Sequence, residues 1–138
     1  TIGVQVGEIL QAHLGLKKKE AREEAVEILR GIGLADPKRV AESYPFQVSG
    51  GMAQRVMIAI ATAMNPEVII ADEPTSALDV VSAARVAMLL RDAAAQGTGI
   101  LLVSHDHRLL DAIADRRLHL AGGTLAEGGG DGPADGTA

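Results

Sequence analysis

The sequence has 138 residues, a usual length for one domain or part of one. Hydrophobic residues make up 47% of it, but the only aromatic residues are Tyr44 and Phe46, so the core must be aliphatic. The net charge of −5, the scattered basic residues and the absence of cysteine exclude a nucleic-acid footprint, a disulfide framework and a thiolate metal site.

The chain begins at Thr1 without a charged and then apolar leader, so no export signal is visible, and we expect a cytosolic location. The longest apolar stretch, residues 56–64, is far shorter than the roughly 20 residues that a membrane span needs. Any contact with a membrane is therefore expected to go through partner proteins.

The first predicted element is an amphipathic surface helix over residues 18–31. Its apolar residues recur at helical spacing, and Gly31 and Gly33 are stop signals; the apolar set is Ala21, Ala25, Ile28, Leu29 and Ile32. Asp36-Pro37 then predicts a connector that leads to a turn at Tyr44-Pro45.

A second helix is predicted after Ser49-Gly50-Gly51 and runs to about Met64. Almost every side chain from Val56 onward is apolar, which is typical of a helix buried on all sides. Two short apolar runs follow, residues 68–71 and 100–103, and each predicts a fully buried parallel strand.

Between these strands the sequence predicts a helix over residues 80–96. Ser76 and Asp79 have capping-box spacing before it, and Gly97 is placed to end it, so the segment makes a βαβ unit.

The remaining predicted elements are short. They are a helix over residues 108–114, a hairpin over residues 118–126 about Gly122-Gly123, and a disordered tail over residues 128–138.

Three reactive side chains are expected at one edge of the sheet, because ligands of open α/β sheets bind beyond the carboxyl ends of the strands. Asp72 and Glu73 follow the first strand and His105 follows the second. One carboxylate suits Mg²⁺, and the other, Glu73, suits the orientation of an attacking water. The alternatives are that the acidic pair only caps a turn and that the histidine is a bystander.

Ser49-Gly50-Gly51 is a candidate phosphate site. At a helix start it offers a hydroxyl and free backbone N–H groups at the positive end of the helix dipole. The alternative is a simple helix N-cap followed by glycines.

Four strings in order resemble the motifs of ATP-binding cassettes. Residues 48–55, here called the signature segment, read VSGGMAQR and resemble the signature motif; residues 68–73 resemble the Walker B strand, residues 76–79 the D-loop, and His105 the switch histidine. Residues 44–47 and 57–60 resemble the oligopeptide, dipeptide and nickel importers.

The resemblance implies an α/β fold, a partial cassette of the P-loop NTPase type. Residues 1–66 would form the helical subdomain with the signature motif, and residues 67–127 the later half of the catalytic core with the C-terminal hairpin. The cofactors would be ATP and Mg²⁺.

The resemblance also implies roles for individual residues. In such proteins two cassettes enclose two ATP molecules, so Ser49 and Gly51 would act in trans and matter only in the closed dimer. Gly50 and Gln54 would contact the nucleotide, and Asp72 would hold Mg²⁺ through water. Glu73 would orient the lytic water, His105 would contact the γ-phosphate, and Asp79 would lie at the dimer interface. For Asp79 an N-cap role is equally open.

The sequence departs from the family pattern in several places. No G-x-x-x-x-G-K-[ST] string occurs, so the phosphate cradle and its lysine are absent. The glutamine loop is absent too, and Gln5 does not replace it. Val48 replaces a commoner leucine, and Ala53 replaces a residue that is commonly long and polar or basic. His107 falls where an apolar residue is usual.

We therefore predict the ATP-hydrolysing subunit of a peptide or nickel importer, at the cytoplasmic face of the membrane, represented by a fragment that is inactive alone. The expected partners are a second ATP-binding subunit, permease subunits and, indirectly, an extracytoplasmic solute-binding protein, with no nucleic acid. One alternative is a non-catalytic interaction module. The other is a metal-dependent hydrolase, because an extended strand at residues 105–107 would place His105 and His107 on one face beside Asp72 and Glu73.

Overall fold

The computed structural model describes residues 1–127 as six α-helices, one short 3₁₀ helix and four strands. In chain order the elements are α1 (Ile2–Leu14), α2 (Lys18–Gly31), α3 (Pro37–Glu42), the 3₁₀ helix Pro45–Gln47, α4 (Gly50–Thr62), β1 (Val68–Asp72), α5 (Val80–Ala95), β2 (Gly99–Val103), α6 (His107–Ile113), β3 (Leu118–Ala121) and β4 (Thr124–Glu127). The predicted tail, residues 128–138, lies outside the described residues.

Helices α1 to α4 enclose the larger of two hydrophobic clusters, here called the helical cluster. Its buried members are Ile2, Val6, Leu10, Ala21, Ala25, Leu29, Leu34, Val40, Ala41 and Val56. The helices approach closely because small residues separate them: a Cβ at Gly3 would lie 2.9 Å from the Cβ of Ala41. This packing is aliphatic, as the composition requires.

The amino-terminal segment contains two helices that the sequence analysis did not predict. Helix α1 carries the helical spacing of Ile2, Val6 and Leu10, but Gly3 and Gly7 lower its intrinsic helix propensity. Helix α3 corrects the prediction of a connector: Asp36 caps it by accepting a hydrogen bond from the N–H of Arg39 at 3.1 Å. Packing against α1 and α2 stabilises this short helix.

Helix α4 lies between the two hydrophobic clusters. Val56 belongs to the helical cluster, whereas Ile58 packs with Val86 and Leu90 of α5 in a second group, here called the strand cluster. The prediction that this helix is buried on all sides is wrong, because Met57 is 60% exposed between the two contact faces.

Strands β1 and β2 pair in parallel and are joined by α5, so the predicted βαβ unit is confirmed. Their predicted full burial is wrong. Helix α5 covers the face that holds Ile69 and Ile100, but Ile70 on the opposite face is 72% exposed and Leu101 is 55% exposed. No element among residues 1–127 covers that opposite face, so the apolar run does not produce burial there.

The predicted hairpin is confirmed as β3 and β4, which pair antiparallel with Ala121 opposite Thr124. Its turn residues Gly122 and Gly123 have φ values of 55° and 78°, as a two-residue turn with two left-handed positions requires. Within the described residues, no helix is long and apolar enough to cross a membrane.

Candidate functional site

The two parallel strands bring three of the candidate residues to one edge. Asp72, the last residue of β1, lies opposite Val103, the last residue of β2. The next residue, Glu73, donates its backbone N–H to the carbonyl of Val103 at 2.8 Å, which continues the pairing of the two strands by one hydrogen bond. The chain bends at Glu73. His105 leaves β2 at the same edge, as the sequence analysis expected.

Glu73 and His105 are in direct contact. The Oε1 atom of Glu73 lies 2.7 Å from Nδ1 of His105 and also accepts the backbone N–H of His105 at 3.1 Å. The hydrogen bond to the carboxylate raises the pKa of His105 above its ordinary value, and the negative charge of Glu73 raises it further. The His105 side chain is 84% exposed, so its Nε2 edge faces solvent, while that of Glu73 is 34% exposed.

The backbone between Glu73 and α5 is strained at two positions. Glu73 has a φ of 45° and Ala77 a φ of 59°, values in the left-handed region that residues with a Cβ adopt at a cost. Thr75, between them, is buried. A cleft of about 470 Å³ lies here, lined by Glu73 and residues 75–77 on one side and residues 105–108 on the other.

Ser49 caps helix α4, because its Oγ accepts the backbone N–H of Met52 at 3.3 Å. The N-cap interpretation is therefore correct. It does not exclude a phosphate role, because an accepting hydroxyl still has its own O–H to donate. Gly50 is exposed, and a Cβ there would meet nothing within 4 Å, so the first turn of α4 is accessible from outside.

Gly51 differs from its neighbour, because it is buried against helix α5. A Cβ at Gly51 would lie 2.4 Å from Oγ and 2.7 Å from Cβ of Ser82. The expectation that Gly51 matters only in a closed dimer is therefore wrong: its missing side chain already allows α4 to contact α5 within this chain. Ser82 was not among the residues that the sequence indicated.

Asp79 is the N-cap of α5, one of the two roles that the sequence left open. Its Oδ1 accepts the N–H of Ser82 at 2.9 Å, and its Oδ2 accepts the hydroxyl of Ser82 at 2.7 Å. These hydrogen bonds, the side-chain one first, lower the pKa of Asp79. Ser76, which had capping-box spacing, instead donates its N–H to the carbonyl of Glu73 in the preceding turn.

Arg55, the last residue of the signature segment, is a buried charge that sequence reasoning missed. It is 7% exposed and donates to the carbonyls of Gly51 at 3.2 Å and Gly33 at 3.1 Å. Burial lowers the pKa of Arg55, and the positive charge of Arg85 lowers it further. The sequence signal for this buried charge was an arginine within a run of small and apolar residues. Gln54, beside it, is half-buried on α4.

The geometry does not support a protein-only metal centre. Asp106 caps α6 and His107 is its first residue, so residues 105–107 are not an extended strand with two imidazoles on one face. Among residues 1–127 no group of three His, Cys, Asp or Glu side chains could hold a metal ion. Asp72 alone, exposed at the strand end, fits Mg²⁺, which takes one or two carboxylates together with substrate phosphates and water.

Comparison with known families gives a match over more than half of the chain. A family model described as ABC transporter matches residues 3–76. The oligopeptide transport ATP-binding protein AppD of Bacillus subtilis (strain 168) is 46% identical over 128 residues. That alignment covers 92% of this chain but 39% of the relative, so the chain spans about two fifths of the relative's length.

Solved structures give a consistent result. An ATP-binding cassette in a dimeric post-hydrolysis state, bound to ADP and Pi, matches with a TM-score of 0.76 and 32% identity, over 92% of this chain and 56% of that one. A dimeric bacterial ABC transporter cassette matches with a TM-score of 0.60 and 37% identity, over 70% of this chain and 41% of that one. The predicted α/β fold class is thereby confirmed.

Proposed function

Because the chain belongs to the ABC transporter family, we propose that it is the signature-bearing part of the ATP-hydrolysing subunit of an importer. The observation that carries this proposal is the placement of two separate sets of residues. Ser49 and Gly50 form an accessible helix start, and Glu73 and His105 form a contacting pair at the carboxyl edge of the parallel strands. Each set matches one half of a composite nucleotide site.

Glu73 is the proposed base, and His105 is its neighbour at the γ-phosphate. The carboxylate holds His105 by Nδ1, which leaves Nε2 toward solvent, where it can donate to a phosphate oxygen. The second carboxylate oxygen, Oε2, is the one that can accept a proton of the attacking water. When bound, Mg²⁺ would neutralise phosphate charge, and Asp72 would hold it through water.

The signature segment is proposed to act on a nucleotide held by a second ATP-binding subunit. The first N–H groups of a helix have no intrahelical partner and lie at the positive end of its dipole, so Gly50 and its neighbours suit a phosphate. The hydroxyl of Ser49 adds a donor, Gln54 is proposed to stand near the same nucleotide, and Asp79 at the subunit interface. One of the similar solved cassettes is itself dimeric and bound to ADP and Pi, which supports this arrangement.

The proposed transport role is the import of peptides or nickel. The Bacillus subtilis relative is named as an oligopeptide transport protein, which supports peptides, whereas nickel rests on the motif resemblance alone. The other proposed partners are permease subunits and, through them, a solute-binding protein. The proposed location is the cytoplasmic face of the membrane.

A chimera tests this function, because residues 1–138 hold no phosphate cradle of the G-x-x-x-x-G-K-[ST] type. In the chimera this chain replaces the matching part of the Bacillus subtilis relative. We expect it to hydrolyse ATP, and Glu73→Gln to lower the rate by about 10² to 10⁴ because the positioned base is lost. The matched control is Glu67→Gln, an exposed carboxylate just before β1.

Two results would reject the proposal. A Glu73→Gln chimera that keeps more than half of its ATPase rate, while still binding ATP, would make the acidic pair structural. A chimera that folds and binds ATP but does not hydrolyse it would favour the alternative of a non-catalytic interaction module.

A further inference from the structure

Two of the proposed interface features meet at one residue of helix α5. Asp79 precedes the helix and Gly51 lies in the signature segment on α4, yet each contacts Ser82. Ser82 matches none of the motifs and is absent from the candidate sites that the sequence indicates. It lies in the third position of α5, in the first turn after the cap.

The contact with Asp79 fixes the direction of the Ser82 side chain. Both carboxylate oxygens of Asp79 are engaged by this single residue, one by its N–H at 2.9 Å and the other by its hydroxyl at 2.7 Å. The hydroxyl cannot rotate without breaking the shorter of these bonds. A serine hydroxyl without such a partner would be free to choose among three staggered positions.

The contact with Gly51 links the position of the Ser82 side chain to that of helix α4. The space for a Cβ at Gly51 is already filled by Oγ and Cβ of Ser82, so the two helices touch at this point without a side chain from α4 between them. About one turn further along, the positive charges of Arg55 on α4 and Arg85 on α5 act on each other. The helix pair is therefore closely packed at Ser82, and the two arginine charges repel each other at the next turn.

We propose that Ser82 is a positioning residue that makes the start of the signature segment and Asp79 move as one rigid unit. The inference rests on the proposed function, in which both features face a second subunit. A displacement of Asp79 by that subunit would move the hydroxyl of Ser82 and hence the turn that holds Gly51. Ser82 thereby couples the nucleotide contact of the signature segment to the subunit contact of Asp79 within one chain, although Ser82 itself belongs to none of the motifs.

Glycine resonances test the connection without requiring any activity. The full 138-residue chain is labelled with ¹⁵N-glycine, and the Gly51 amide is followed in the wild type and in variants. We expect Asp79→Asn to shift this amide clearly, because the cap carboxylate holds Ser82. The same substitution in a Ser82→Ala background should give less than half of that shift, and in a Ser82→Thr background, where a hydroxyl is retained, most of it.

The matched control is Ser43→Ala, which removes a hydroxyl bonded to the carbonyl of Arg39 at 2.8 Å in α3. It should leave the response of Gly51 to Asp79→Asn unchanged. An Asp79→Asn shift at Gly51 that is absent, or equal with and without the Ser82 hydroxyl, would overturn the proposal.

An activity measurement separates this proposal from the proposed function. In the chimera with the Bacillus subtilis relative, Ser82→Ala should lower kcat for ATP several-fold with little change in KM, and Ser82→Thr should restore it. A chimera without any ATPase rate would count against the proposed function, while the glycine resonances would still decide the connection. An unchanged kcat in Ser82→Ala would overturn the positioning role even where the resonances respond.

Discussion

The helical cluster and the strand cluster differ in how completely they bury their apolar residues. In the helical cluster Leu29 and Val40 are fully buried, and helices cover them from several sides. In the strand cluster Val86 and Leu90 are buried beneath the sheet, but Ile70 on its other face is 72% exposed. The helical cluster is therefore complete among the described residues, whereas the sheet is covered on one face only.

The largest effect that tests this difference is expected from truncation of a buried leucine. Leu29→Ala should lower the free energy of unfolding by about 2 to 5 kcal/mol, because it leaves a cavity in a closed core. Ile70→Ala, on the open face of the sheet, should change it by less than about 0.5 kcal/mol. Urea denaturation of the two variants measures both values. Equal losses would mean that the sheet face is covered after all.

A smaller effect is expected at the helix that lies between the two clusters. Gly51→Ala should lower the free energy of unfolding by about 1 to 3 kcal/mol, because the new methyl group overlaps Ser82. Gly50→Ala is the matched control: it adds the same methyl group one residue earlier, into open space, and should be nearly neutral. Thermal denaturation of both variants tests this, and a neutral Gly51→Ala would contradict the contact between α4 and α5.

The smallest effect is expected at the exposed pair of Glu73 and His105. Because the pKa of His105 is raised in the folded chain, the pair stabilises the fold fully below the ordinary histidine pKa of about 6.5. This contribution is lost as the pH rises through the raised value. The difference in unfolding free energy between wild type and His105→Gln should therefore shrink as the pH rises above about 6.5. His119→Gln, on the exposed hairpin, provides the control, and a difference that grows with pH would have the wrong sign.

The sequence predicted those elements whose signals are local. Helix α2 begins and ends where its apolar spacing and Gly31 indicate, and the hairpin turns at Gly122 and Gly123. Burial of the strands could not be predicted in this way. An apolar run such as residues 100–103 indicates that a strand can be buried on both faces. Whether the strand is buried depends on which elements pack on each face of the sheet.

The candidate site could be predicted where it follows from chain order, and it could not be predicted where it depends on packing between helices. Asp72, Glu73 and His105 follow strands, and the ends of parallel strands meet, so their common edge follows from the chain order. The contact of Gly51 with Ser82 depends on how two helices cross in space, and no local pattern encodes it. The roles of all these residues in nucleotide chemistry stay predictions.

The buried guanidinium of Arg55 restricts which residue types this part of the chain can accept. It donates from two different nitrogens, to the carbonyl of Gly51 on its own helix and to those of Ile32 and Gly33 just beyond the end of α2. These last carbonyls lie at the negative end of the α2 dipole, so the cation replaces the water that would otherwise solvate them. A lysine brings the same charge as a single point and cannot span both groups. The shape of its donors as well as their charge therefore favours arginine at this position.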